Sequence, residues 1–345
     1  MLKAVAADLT IKPDTVETLL YGKNPMRGVV SVEVDSDGRV VISLRGTDGV
    51  RRLVARARHR HFFLLSDDCY LPENDVVTDV ECLSGDGHFR YVCYYPSRKA
   101  MWNAVNDVVW SYNRANGTEH LKTDWWRVPD ILLIPDSEEQ FLISSGIGQF
   151  RGMGFPDLRR MRIAIHADWP FEPEHTSRTD ERIKLRQIAL ADSTGWSRVI
   201  DSRDMEEKQM LERLVEVVKE RDPDVIEGHN LFGEIFPILN VKCLRHSVPF
   251  RLGRREQKVA NFSTSRMKDE KSVPYTNYVV PGRHVIDTMF LAEKSAPECL
   301  LDCDARDVVA VAVAICCEAI SGENSDALAR ATATASRAGA TGLSR

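Results

Sequence analysis

The residues best equipped for chemistry gather around Gly228-His229-Asn230, one residue beyond the apolar pair Val225-Ile226. A polar turn at the carboxyl end of a short strand is where α/β sheets commonly receive a ligand. An Asn there can cap the next helix through its side-chain oxygen, and His229 and Asn230 can equally touch a nucleic-acid strand. Phe232 reads first as core packing and second as a face on which a base can stack. His166 reads first as a core or cleft histidine and second as a metal ligand. Asp287 reads first as a hydrogen-bonding residue at the end of an element. From Pro249 to Lys271 the chain is rich in Arg and Lys, including Arg251, Arg254, Arg255, Lys258, Arg266, Lys268 and Lys271. This stretch is read either as a solvated loop or as a set of phosphate contacts.

The elements that must position these residues are legible around the turn. Met210, Leu211, Leu214, Val217 and Val218 recur at helical spacing, and Asp222-Pro223 stops that helix. Val225-Ile226 is a buried strand, and Leu231 to Leu239 starts a second helix. Upstream, Arg162 to Ala167 reads as a central strand, Lys184 to Ala191 as its continuation, and Trp196 to Ile200 as a neighbour. Ser193-Thr194-Gly195 is the turn between the last two. His284 to Thr288 is a further short strand. Earlier still, Gly28 to Leu44 alternates apolar and polar residues on both sides of Asp35-Ser36-Asp37-Gly38, a hairpin signal. Phe62 to Ser66 and Arg90 to Tyr95 add strands, Lys99 to Tyr112 a helix, and Val128 to Pro135 a strand. Gly146 to Phe155 is a glycine-rich connector.

With 345 residues and 43% apolar content the chain is expected to hold two domains. A net charge of −5 excludes a globally basic nucleic-acid binder but allows a local basic patch. None of the eight cysteines forms a Cys-x-x-Cys pair, so neither a zinc site nor a disulfide framework is indicated. No apolar run is long enough to span a membrane and no secretion signal opens the chain, so a cytoplasmic location without membrane contact is expected. Asp304 to Glu318 reads as an Ala- and Val-rich helix. The small, polar stretch after it is expected to be disordered.

Three segments carry a resemblance to a known family: EEQFLISSGIGQFRGMGFPDLRRMRI from Glu138, ERDPDVIEGHNLFGEIFPIL from Glu220, and PGRHVIDTMFL from Pro281. In this order and spacing they resemble the 3′–5′ exonuclease region of family B DNA polymerases, particularly a bacterial branch, whose work is DNA replication and repair. LLYGKNPMRGVVSVEV from Leu19 resembles the first strands of that family's N-terminal domain. The resemblance implies an α/β fold: a ribonuclease H-like mixed sheet flanked by helices, behind a smaller β-rich α+β domain. The domains expected are 1–150, 151–318 and a tail over 319–345. Palm, fingers and thumb have no counterpart in these residues, so no polymerase activity is expected of them.

The family's chemistry is phosphodiester hydrolysis by two hard cations, Mg2+ or Mn2+, held by clustered carboxylates. Carried over residue by residue, the Asp-x-Glu pair falls on Ala164 and His166. The helical Asp falls on Ile235 and the Tyr on Cys303. Only the last carboxylate is retained, as Asp307. A rebuilt metal site would have to draw on Asp168, Glu234 and Asp307. The segment between Asp287 and Cys303 is also shorter than the family's, which would leave the surface at Phe290 and Leu291 exposed or repacked.

The resemblance with these departures implies a catalytically degenerate exonuclease-like protein that binds nucleic acid without cleaving it and needs no cofactor. Single-stranded or primer-template DNA is the expected partner, with a separate polymerase subunit as another. His229, Asn230, Phe232, Arg254, Arg255 and Lys258 are the expected contacts. Two alternatives stand beside it: an active Mg2+- or Mn2+-dependent exonuclease using displaced carboxylates, and a truncated remnant without function.

Overall fold

The computed structural model describes residues 15–46, 48–49, 51–70, 79–121, 123–268 and 270–290. The chain is an α/β protein in two compact units, 1–154 and 155–345. The expected Asp304–Glu318 helix and the tail after it lie outside the described residues.

The first unit opens with helix α1 (Val16–Tyr21) and the antiparallel strands β1 (Val29–Val34), β2 (Arg39–Arg45) and β3 (Arg51–Arg58). Asp35 builds the β1–β2 turn by accepting from the backbone N–H of Asp37 and Arg39. Gly38 is required there: φ is +74°, and a Cβ would stand 2.1 Å from the His59 carbonyl. A second sheet has the order β5-β6-β4-β7, from β4 (His61–Leu65), β5 (Asp79–Cys82), β6 (Tyr91–Tyr95) and β7 (Ile131–Leu132). Helix α2 (Arg98–Asn116) is capped by Ser97 and closed by Gly117. It buries Met101, Val105, Val108 and Val109 against Phe63, Cys93 and Tyr95. Helix α3 (Ser137–Ser145) follows, capped by Asp136 and ended by Gly146, the first residue of the glycine-rich connector. The strand expected over Val128 to Pro135 shrinks to two residues, because Pro129 and Pro135 bracket it and proline cannot donate to a ladder.

The second unit is built on a five-stranded sheet of order β10-β9-β8-β11-β14. Strands β8 (Arg160–Asp168), β9 (Lys184–Asp192) and β10 (Ser197–Asp201) form an antiparallel meander, while β11 (Val225–Gly228) runs parallel to β8 and to β14 (His284–Asp287). This is a mixed sheet with helices, the architecture the resemblance implies. Helix α4 (Glu207–Arg221) buries all five apolar residues that its spacing marked out, and it packs with α5 (Phe236–Arg245) on Met161, Ile163, Leu190 and Ile226. The basic stretch is a loop only in its first half. Its second half enters a hairpin of β12 (Ala260–Lys268) and β13 (Lys271–Val279), in unbroken register, while 249–259 carries only a short 3-10 turn. Among the described residues no helix is long and apolar enough to cross a membrane.

One buried pair in the first unit ties stability to pH. His59 and His61 are both buried, with ring centroids 5.1 Å apart. His59 Nε2 lies 3.2 Å from Gln140 Oε1, which also accepts from the Phe62 N–H. Burial pushes His59 down to about 4 and lowers His61 as well. Both rings are therefore neutral when folded, whereas the unfolded chain takes up protons below about pH 6.5. Stability from this source is complete above that pH and is lost as pH falls toward about 4. For His59 alone the loss at pH 5 is about 2 kcal/mol. Urea unfolding at pH 7.5 and pH 5, read by amide exchange in β4, is expected to show it, and His59→Gln is expected to flatten the pH dependence.

Candidate functional site

The turn after β11 is held by its backbone. Asn230 adopts a left-handed conformation (φ 58°, ψ 41°), which Asn tolerates better than most residues. Its carbonyl accepts from both Glu234 N (3.0 Å) and Ile235 N (3.2 Å), so Leu231–Ile235 forms a wide π-type turn before α5 begins. The single helix expected from Leu231 thus has a widened first turn, a feature frequent at functional sites. Gly228 lets β11 end tightly against β8, since a Cβ there would stand 2.6 Å from the Ile163 carbonyl.

Asp287, at the end of the adjacent strand, organises the turn. Its carboxylate accepts from the backbone N–H of Asn230 (2.9 Å), Phe232 (3.0 Å) and Met289 (3.0 Å). Thr288 Oγ1 donates to the Gly228 carbonyl at 3.1 Å. The N-terminal amides are therefore capped from across the sheet, not by the Asn230 side chain, which makes no capping bond. His229 is half-buried and its ring makes no hydrogen bond or ion pair among the described residues.

The positions implied by the resemblance lie on one strand and this turn. Arg160, Arg162, Ala164, His166 and Asp168 follow each other at alternate positions of β8 and share a face. Ala164 is half-buried and Ile235 is 5% exposed, packed into the core. His166 is exposed, not buried as a central-strand reading suggests. Asp168 stays in the sheet, paired with Lys184 despite Pro170 two residues on. A register shift between His166 and Ala167 leaves Arg186 of β9 as a bulged residue, and its guanidinium grips Asp168 (Nε–Oδ2 2.6 Å). That bond holds the Asp168 carboxyl below its usual range. Glu234 faces Arg178 at 3.6 Å.

Among the described residues no three His, Cys, Asp or Glu side chains are placed to hold a metal ion. The donors at these positions do not fit a two-cation centre: an alanine, an exposed imidazole, a buried isoleucine, and carboxylates turned toward arginine or backbone N–H groups. Cys303 and Asp307 lie outside the described residues.

The expected nucleic-acid contacts separate. Arg255 and Lys258 are exposed. Arg254 must be withdrawn, because it is 3% exposed and clamps Asp222 (3.1 Å) and Asp224 (2.6 Å). Arg283 grips Asp222 as well (2.8 Å), and both arginines donate to the Pro223 carbonyl. Phe232 is packed: its ring stacks near Tyr278 and contacts Tyr275 and Phe290. The Arg266 guanidinium sits 4.2 Å over Phe290, so this surface is repacked by the hairpin rather than laid bare. Leu291 lies outside the described residues.

Sequence reasoning missed the arginines that neutralise Asp168 and Glu234, and the cluster of Arg160, Arg162 and Glu227. Its one sequence signal was two arginines at alternate positions of an otherwise apolar strand.

Comparison with solved structures finds a likeness to the family B DNA polymerase of the hyperthermophilic archaeon Pyrobaculum calidifontis, at 17% identity and a TM-score of 0.48. It covers 77% of this chain and 36% of that polymerase, so the chain spans about a third of the polymerase's length. No protein-family profile and no curated protein matches the chain.

Replacing Asp287 by Ala leaves two or three buried or half-buried N–H groups unsatisfied and is expected to cost about 2–4 kcal/mol in denaturant unfolding, with faster amide exchange at Asn230 and Phe232. Arg254→Ala, which removes the guanidinium paired with the fully buried Asp224, is expected to cost about 3–5 kcal/mol, whereas Lys258→Ala leaves stability within about 0.5 kcal/mol.

Proposed function

We propose that this protein associates with single-stranded or primer-template DNA without cutting it, as a degenerate relative of the family B exonuclease region. The reading rests on the motif resemblance and is carried by one observation: Ala164 and Ile235 stand at two ligand positions while Asp168 and Glu234, the nearest replacements, face Arg186 and Arg178. A carboxylate committed to a guanidinium has its charge compensated and its oxygens occupied, so it competes poorly as a ligand for a hard cation. Association is assigned to the exposed cations near the turn and hairpin, Arg255, Lys258 and Lys271. Phosphate contacts of this kind give affinity that falls with salt.

Labelled single-stranded DNA separates this reading from its alternatives. Fluorescence anisotropy is expected to report binding at low salt that weakens at moderate salt. The triple change Arg255→Ala, Lys258→Ala and Lys271→Ala is expected to weaken it about tenfold or more and to flatten the salt dependence. In the same mixture Mn2+ is expected to release no mononucleotides. Release that disappears in Asp307→Asn would establish the displaced-carboxylate exonuclease instead, and absence of salt-sensitive binding would favour a remnant.

A further inference from the structure

We infer that the second unit carries a binding site for a small phosphate group at the start of β8, separate from the Asn230 turn and independent of the strand-binding reading. A cavity of about 110 Å3 opens there, and its lining includes Arg160, Arg162, Ala191, Asp192, Trp196 and Glu227. Charge is unbalanced inside it. Glu227 is buried and accepts from Arg160 Nη1 (3.1 and 3.2 Å) and Arg162 Nε (2.8 Å). Asp192, the other carboxylate, is already matched by Arg221, whose Nε lies 2.8 Å away. Two guanidinium groups thus share one carboxylate, and with Arg221, which stands outside the lining, three guanidinium groups face two carboxylates, a surplus of one positive charge around the cavity.

Hydrogen-bond donors are in surplus as well. A guanidinium carries five N–H donors, and Glu227 engages one nitrogen of each arginine. Among the described residues the other nitrogens of Arg160 and Arg162 have no partner, and Arg160 Nε is fully buried in that state. Buried donors without acceptors are costly, so the arrangement is stabilised by an arriving oxyanion. The cations are also held in place beforehand. Phe155 lies 3.8 Å from the Arg160 guanidinium, and the Arg160 backbone N–H is bonded to Ser193 Oγ. Arg221 covers the Trp196 ring at 4.8 Å.

Size selects the ligand. A cavity of about 150 Å3 takes up benzene, so this smaller one admits a group of about five heavy atoms and not a nucleotide. Paired guanidinium forks match the oxygens of phosphate. Two sources supply that chemistry: inorganic phosphate, and a terminal phosphate of a nucleic-acid strand.

Isothermal titration of the full chain with inorganic phosphate tests the site. Saturable binding at one site per chain is expected. Arg162→Gln removes donors and Ala191→Leu fills the cavity without touching charge; each is expected to weaken binding about tenfold or more. Arg198→Gln, an exposed arginine on β10 outside the cavity, is expected to leave it unchanged. Thermal unfolding checks that each variant folds, and Ala191→Leu decides if Arg162→Gln does not. Absence of saturable binding, equal loss in Arg198→Gln, or equal competition by acetate would each overturn the assignment. The source is then read with short thymidine oligonucleotides bearing a terminal phosphate or a terminal hydroxyl. A preference for the phosphorylated end that inorganic phosphate abolishes assigns the site to strand ends; no preference assigns it to the free ion.

Discussion

Negative charge around the β11 turn is committed to positive partners, and this constraint shapes the rest of the second unit. Asp287 is held by three backbone N–H groups, Asp168 by Arg186, Glu234 by Arg178, and Glu227 by Arg160 and Arg162. A carboxylate whose oxygens are already gripped by cations or amides competes poorly for a further cation. Oxygen ligands for Mg2+ or Mn2+ must converge with their charges uncompensated, and these four do not. The negative charge around the turn is thus engaged within the protein.

Backbone precision at the turn comes from a second set of charges at the opposite end of the parallel strands. Asp222, Pro223 and Asp224 lead into β11, and Arg254 and Arg283 bind their carboxylates and carbonyl together. Removing charges from water costs several kcal/mol per ion, so such a network adds little net stability. Its effect is on register. Arg283 immediately precedes β14 and Asp222-Pro223-Asp224 immediately precedes β11, so the clamp fixes where the two strands start beside one another. With Gly228 opposite Asp287, the capping carboxylate then meets the amides of Asn230 and Phe232.

Much of this was legible from residue types. The apolar spacing of Met210 to Val218 marked α4 and its buried face, and Val225-Ile226 followed by Gly-His-Asn marked the strand and turn. Asp287 was also readable as a hydrogen-bonding residue at an element's end, though not that it would cap a turn 55 to 57 residues away. Long-range pairing is invisible to local pattern. Arg254 looked like its exposed neighbours because composition cannot tell a solvated arginine from one buried against Asp222 and Asp224. The bulge that aims Arg186 at Asp168 depends on a register shift between two strands, which neither strand encodes alone. The hairpin was hidden because its exposed strands, ANFSTSRMK and KSVPYTNYV, bury too few side chains to show a two-residue alternation.

The residues at positions 164 and 235 also contribute to the packing of the second unit. Clustered carboxylates repel each other unless a cation lies among them, and a buried one raises its pKa or destabilises the fold. Ile235 reverses that balance: at 5% exposure it joins Leu231, Phe236 and Leu239 in the core under the sheet. Burial of such a side chain is worth about 1.5–3 kcal/mol, so the position contributes cohesion where an acid would need an ion. Ala164 carries neither charge nor bulk, and the neighbouring arginines of β8 bind Glu227 rather than face an acidic centre. A single carboxylate placed at position 235 would therefore bury a charge in the apolar core. A metal centre built at these positions would require several coordinated changes, because each alone removes packing before it creates a ligand set.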